Sequence, residues 1–250
     1  MAPSSATRAR PVARRARRSG RTKGRHRRLK QRNPLASLLI EMTTVTVLAL
    51  VITVVLRLLV AEAFYVPSES MYDTLTTNDR ILAEKVSYLH RDVDRGDIVV
   101  FKDPGHWLNE EQQTPGPVRR LGEFVGILPR SGEGHLVKRV IGIGGDRVIC
   151  CDRSGRIMVN KIPLDEQEYL LTDAKPSLQP FDVVVPPGHL WVMGDNRAES
   201  ADSRAHMGGP GGGFVPVDNV VGRACCVIWP SDRMTMLRPP ETFKKPGLKK

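Results

Sequence analysis

The chain has 250 residues and a formal net charge of +11, from 38 Lys and Arg against 27 Asp and Glu. Thirteen of the basic residues fall within residues 1–40, which contain no acid, so the remaining 210 positions hold 25 basic and 27 acidic side chains. A near-neutral body argues against a nucleic-acid binder, which needs its basic face on the folded part, and an aromatic content of 5% argues against stacking platforms for single strands.

The length suits one or two modest domains with a real core. Residues 1–36 lack apolar periodicity and repel one another, which predicts a disordered, basic cytoplasmic arm. Residues 37–61 read as a transmembrane helix. Its apolar run, 38–60, covers 23 residues, about 34 Å as a helix, against a hydrocarbon core of roughly 30 Å. Glu41 and Arg57 lie near its two ends, where a charged head reaches the interface, and its threonines are expected to bond back to the helix backbone. Two other readings stand beside the anchor. One is a buried globular helix. The other is a cleavable signal peptide, for which Ala61-Glu62-Ala63 offers a small-residue cleavage site. The run is far longer than the 7–15 residues of a signal core. The positive charges ahead of the span favour an uncleaved anchor, N-terminus inside and body outside.

After the span, short apolar runs alternate with Gly, Pro and Asp, as expected of a mainly β body, sandwich or barrel-like. Strands are predicted at 80–86, 97–101, 136–143, 147–151, 156–162, 181–185, 190–193 and 220–228. Residues 152–155 supply a hairpin turn between two of them. Residues 102–135 read as a surface excursion, 150–190 as a variable inserted hairpin region, and 210–213 as a flexible loop. The extracytoplasmic domain is placed at 62–237, with a loose basic tail at 238–250. Cys150-Cys151 and Cys225-Cys226 form two adjacent pairs. Bonding within a pair is disfavoured by the intervening peptide, so cross-pairing between the strands is expected, with free thiols or a metal site as alternatives.

Three clusters carry the chemistry: Pro67-Ser68-Glu69-Ser70-Met71, Val137-Lys138-Arg139-Val140, and the run Gly194-Asp195-Asn196-Arg197 to Ser200-Ala201-Asp202-Ser203-Arg204. Each alone has a bland reading as a cap, a solvent-facing lysine or a hydrogen-bonded loop. Together they suggest a serine hydrolase. A serine hydroxyl needs a base to take its proton, and none of the five histidines of the body stands in a Ser/His/Asp context. A lysine serves instead when burial brings its pKa toward neutrality, and Lys138 has apolar neighbours.

With residues 96–101 between the first two, these clusters resemble the ordered sequence boxes of bacterial type I signal peptidases, from about residue 66 to residue 204. The arm and cysteine pairs look like an actinomycete version. The resemblance implies a Ser–Lys dyad, with Ser70 as nucleophile and Lys138 as general base. It gives Ser68 and the Ser70 N–H the oxyanion hole, Ser200 the orientation of the lysine, and Asp195, Arg197, Asp202 and Arg204 the support of the active-site loop. Arg139 reads as structural. It implies a membrane-anchored serine endopeptidase cutting exported preproteins after an A-x-A site, with no cofactor or metal. The partners it implies are signal peptides, membrane lipid and the secretion translocon, with no nucleic acid. Glu69 replaces the family's usual Gly, and its charge is expected to raise the lysine pKa. Alternatives are a processing protease for one dedicated precursor and a non-catalytic membrane-anchored β domain. A self-cleaving repressor would need a helix-turn-helix ahead of the protease, and the arm has too few apolar residues for one.

Overall fold

In the computed structural model, residues 34–59, 61–85, 92–105, 107–108, 134–171 and 173–248 are described. The expected arm, up to residue 33, and most of the 102–135 excursion lie outside them. Among the described residues the one α-helix, α1 (Pro34–Leu59), contains the apolar stretch Leu35–Val55, whose mean hydropathy of 2.4 and 21-residue length meet the requirement for a membrane span. The Thr44 and Thr53 hydroxyls donate to the carbonyls of Ile40 and Ala49 at 2.7 and 2.8 Å, so neither leaves a bare polar group on the apolar surface.

The body is built from β1 (Ala61–Tyr65), β2 (Arg80–Glu84), β3 (Ile98–Lys102), β4 (His135–Ile143), β5 (Arg147–Cys150), β6 (Met158–Val159), β7 (Ile162–Pro163), β8 (Phe181–Val184), β9 (His189–Met193), β10 (Val215–Pro216), β11 (Val220–Trp229) and β12 (Thr235–Met236). The larger sheet runs β1-β2-β11-β3-β4-β9-β10, with β12 also on β11, and the smaller runs β7-β6-β5-β8. The smaller sheet runs from residue 147 to residue 184 and so overlaps the stretch 150–190.

The central strands β3 and β4 are buried almost throughout because both faces of the sheet are covered. On one side Ile98 and Val100 pack with Phe64, Met71, Leu75, Ile81 and Val227. On the other Val99 and Phe101 pack with Val140, Leu190 and Val192. A third cluster joins Ile141, Trp191 and Met193 of the larger sheet to Val148, Val159 and Phe181 of the smaller. Lys138 is therefore threaded into the middle of a hydrophobic sheet, opposite Val99.

Several expectations are corrected. Ala61, taken as the end of the span, begins β1 and pairs with Glu84. The stretch 156–162 is two short strands, because Asn160 and Lys161 turn the chain with positive φ. The 210–213 segment is a folded turn: Phe214 N–H donates to Gly211 O, and a Cβ on Gly213 would lie 2.2 Å from the Ser203 carbonyl. The tail from Arg238 is not loose, since Phe243 and Leu248 are buried in the third cluster and Lys245 Nζ donates to Pro163 O at 2.8 Å. Cross-paired cysteines are also overturned. Cys150 and Cys151 are bonded to each other, while Cys225 and Cys226 are free thiols. Cys150 ends a strand of the smaller sheet and Cys225-Cys226 lie within β11 of the larger, so the two pairs belong to different layers.

Candidate active site

Three chain segments meet at the site. The first is the turn after β1. Val66 N–H donates to Asp79 O and Asn78 N–H to Val66 O, closing the loop toward β2. Met71 and Leu75 drive into the core beneath it. Ser70, between an exposed Glu69 and a buried Met71, is thereby held at the surface of the core with 8% of its area exposed.

The second segment is β4. Lys138 is 3% exposed, and its Nζ is hydrogen-bonded to Ser70 Oγ at 2.5 Å. Burial lowers its pKa from the ordinary 10.5 to about 8. Asp202 and Asp195 pull it back up and Arg204 pushes it down, all by charge at a distance. Glu69, expected to raise it, is exposed; the two carboxylates that do so are on the third segment. Ser68 Oγ lies 3.3 Å from Ser70 Oγ.

The third segment is the loop after β9. Asn196 N–H donates to Ser70 O at 3.1 Å and its side-chain amide to Glu69 O at 3.2 Å, clamping this loop onto the serine turn. Asp195, fully buried, takes a two-pronged pair from Arg139, with Nε–Oδ1 at 2.8 Å and Nη2–Oδ2 at 2.6 Å. Its Oδ2 also accepts the Thr74 hydroxyl at 2.6 Å, tying the turn, the strand and the loop to one carboxylate. Desolvation opposes the Arg139 charge, yet Asp195 holds the Arg139 pKa above its ordinary value. Arg139, read from the sequence as structural, is held by these two bonds to Asp195, and the centre of the Tyr169 ring lies 4.4 Å from its guanidinium carbon.

Asp202 accepts the Gly194 N–H at 2.9 Å and is paired with Arg204, whose Nη2 also reaches Arg197 O at 2.9 Å. Burial pushes its carboxyl up, but the Arg204 and Gly194 hydrogen bonds carry it below the usual aspartate value. Arg197 finds a partner that sequence reading missed, Glu166 between β7 and β8, at 2.5 Å, and donates to Gly194 O at 3.0 Å. Thr74 and Glu166 carried no spacing signal, and Asn196, although inside the third cluster, had no role assigned; the fold supplies their contacts. Ser200 Oγ is buried against Asp202 and Gly194 without a well-aligned hydrogen bond, so the expected direct contact with Lys138 is not formed.

A hydroxyl, a buried amine whose pKa is lowered to about 8 and a rigid polar scaffold together form the apparatus of serine acyl transfer with a lysine base. Among the described residues no group of acids, histidines and cysteines has the grouping of a metal site. Comparison with known proteins agrees with this chemistry: residues 39–229 match the model of the family described as signal peptidase, peptidase S26. The chain belongs to this family. It is 38% identical to a signal peptidase I of Mycobacterium tuberculosis, over 81% of this chain and 76% of that one. Identity is also 38% to a probable signal peptidase I of Mycobacterium leprae, over 79% and 78%. A signal peptidase I of Leptolyngbya laminosa again gives 38%, over 78% and 82%. The likeness to mycobacterial sequences accords with the actinomycete character read from the sequence. A solved signal peptidase I from Enterococcus faecalis is a weaker match, with a TM-score of 0.33 at 23% identity, over 53% of this chain and 97% of that one.

Proposed function

We infer that this serine endopeptidase is a membrane-anchored signal peptidase I that hydrolyses the peptide bond after the A-x-A site of exported preproteins. The observation that carries the reading is the 2.5 Å contact between Ser70 Oγ and a Lys138 amine whose pKa is lowered to about 8. In the neutral amine the lone pair faces the serine hydroxyl. Ser70 Oγ attacks the carbonyl carbon of the residue before the cut, and its proton passes to Lys138 Nζ. The oxyanion is held by the Ser70 N–H and the Ser68 hydroxyl, donors that act on charge present only in the transition state. Lys138 returns the proton to the leaving amine. The acyl-serine is then cleared by a water that gives its proton to the same lysine.

Asp195, Arg197, Asp202 and Arg204 keep the third segment rigid around this pair. Ser200 acts on the lysine through Asp202, the carboxylate with the strongest hold on its charge. The apolar helix anchors the enzyme in the plasma membrane. The basic arm keeps the N-terminus in the cytoplasm beside anionic headgroups, and the body works at the outer face, where translocon products emerge. The test is a detergent-solubilised preparation offered an A-x-A precursor. Cleavage after the second Ala, found by N-terminal sequencing and lost in Ser70→Ala, supports the reading; a Ser70→Ala rate equal to the parent's overturns it.

A further inference from the structure

The two free thiols, Cys225 and Cys226, are neighbours in β11, and the chemistry around Ser70 does not use them. Successive side chains of a strand ordinarily point to opposite faces of the sheet. These two do not, because the pairing of β11 with β2 shifts register there. Ala224 is opposite Ala83 and Cys226 is opposite Leu82, so Cys225 is the extra residue of a β-bulge. The core fixes the faces. Ala224 and Val227 of β11 are buried in one cluster with Ile81 and Ala83 of β2, which leaves Cys225 and Cys226 together on the other face. Their Sγ atoms are 3.6 Å apart, and Cys225 Sγ lies 3.3 Å from the Leu82 carbonyl oxygen. Both side chains are half-buried and so within reach of solutes. Two sulfurs alone are too few donors to hold an ion firmly, but β12 brings a third. Met236 is directly opposite Cys226, while the next residue, Leu237, packs against the buried cluster. Met236 therefore shares the face of the two thiols, and it is 62% exposed. Opposed residues of an antiparallel pair have Cβ atoms about 4.5–5.5 Å apart, a gap that a flexible thioether side chain spans.

We propose that Cys225, Cys226 and Met236 form a binding site for a soft monovalent cation of the copper(I) type. Two thiols and a thioether are the donors such an ion prefers. Zinc asks for a fourth ligand, and calcium and magnesium ask for oxygens. Metal–sulfur bonds of about 2.3 Å in a trigonal plane set the sulfurs roughly 4 Å apart, so the thiol pair has only to open by a few tenths of an ångström. Binding is an exchange without redox change: the cation enters, two thiol protons leave to solvent, and the site gains one net negative charge, which its half-buried position keeps in contact with water. The ion ties β12, a two-residue strand paired among the described residues with β11 alone, to the larger sheet. The site uses none of the groups around Ser70 and does not rest on the peptidase reading.

The experiment uses the full chain in detergent, without oxygen and without added thiol, and supplies copper(I) as its coloured complex with a chelator of the bathocuproine class. The parent is expected to take one copper per chain, read as loss of the chelator's colour and as a new sulfur-to-copper absorption in the near ultraviolet. Cys225→Ser and Cys226→Ser are each expected to lower the affinity by roughly a hundredfold or more, and Met236→Leu by about tenfold, a thioether being the weaker donor. Met234→Leu, two residues away, should change nothing. Thermal unfolding keeps a misfolded variant from passing as a ligand variant: without copper the serine and leucine chains should melt with the parent, and copper should raise the melting temperature of the parent alone. A parent chain that takes no copper from the chelator overturns the inference. So does a chain with both cysteines changed to serine that holds copper as tightly as the parent, which would mark adventitious binding elsewhere. An unaltered affinity in Met236→Leu, or displacement of the copper by an equal concentration of zinc(II), contradicts the three-sulfur site as well.

Discussion

Replacing Gly194 by Ala tests whether the serine turn and the loop after β9 are one rigid unit. A Cβ at this position would lie 2.3 Å from the Ser70 carbonyl oxygen, 2.3 Å from Ser200 Oγ and 2.6 Å from Ser200 Cβ. Real contacts need about 1 Å more than this, so something must move. The backbone at Gly194 is itself held on both sides, by Asp202 at its N–H and by Arg197 at its carbonyl. The Ser70 carbonyl is fixed by Asn196 at 3.1 Å. The Ser200 hydroxyl is itself buried. The displacement therefore falls on the nucleophile's own backbone. A shift of about 1 Å in a reacting group costs on the order of 100-fold in rate, and overpacking of this kind costs about 1–3 kcal/mol in stability. The assay is kcat/KM on a precursor peptide, with urea denaturation alongside. Gly208→Ala is the control, since a Cβ there meets nothing within 4 Å. A Gly194→Ala enzyme that works at the parent's rate would refute the claim that the two segments are rigidly coupled.

Three further outcomes follow from the same geometry. The Lys138 pKa is lower folded than unfolded, so below pH 8 the native state carries a charged amine it would rather lose; that penalty shrinks as pH rises from 8 to 10.5. The stability of the parent relative to Lys138→Met should accordingly rise by about 3 kcal/mol across that window, as read by urea denaturation at a series of pH values. Glu166→Ala strands the buried Arg197 guanidinium and should cost about 3–5 kcal/mol in the same measurement, although Glu166 lies outside the reacting groups. Phe243→Ala should cost a similar amount, about 3–5 kcal/mol, because the tail fills the third cluster; a loss within a few tenths of zero would restore the loose tail.

The strands that a one-dimensional reading finds are those whose alternation or apolar density reports burial directly, such as residues 136–143 and 181–185. The strand at 61–65 escapes it, because two alanines and a glutamate after an apolar helix have the composition of a helix end or a cleavage site. Its identity as a strand depends on β2, 15 residues further on. The two-residue strands β10 and β12 carry no pattern of their own and exist through their partners. The same holds at the site. Ser70 and Lys138 are legible because their boxes resemble a family's, and the apolar neighbours of the lysine forecast its burial. The scaffold is less so. Arg139 was readable as structural, but its partner Asp195 is 56 residues away and Glu166 is 31 from Arg197, distances at which only a folded chain pairs residues. The cysteines show the converse: reasoning from bridge geometry favoured a long-range pairing, whereas Cys150 is bonded to its neighbour Cys151 and Cys225 and Cys226 lie in the other sheet as free thiols.

The most direct test of the mechanism is the pH dependence of kcat/KM for an A-x-A precursor peptide between pH 6 and 10. Since the neutral amine is the base, the rate should climb with pH through an apparent pKa near 8, standing at roughly a tenth of its plateau at pH 7. A profile flat across that range, or one still rising through 10 as an ordinary lysine would require, contradicts the account.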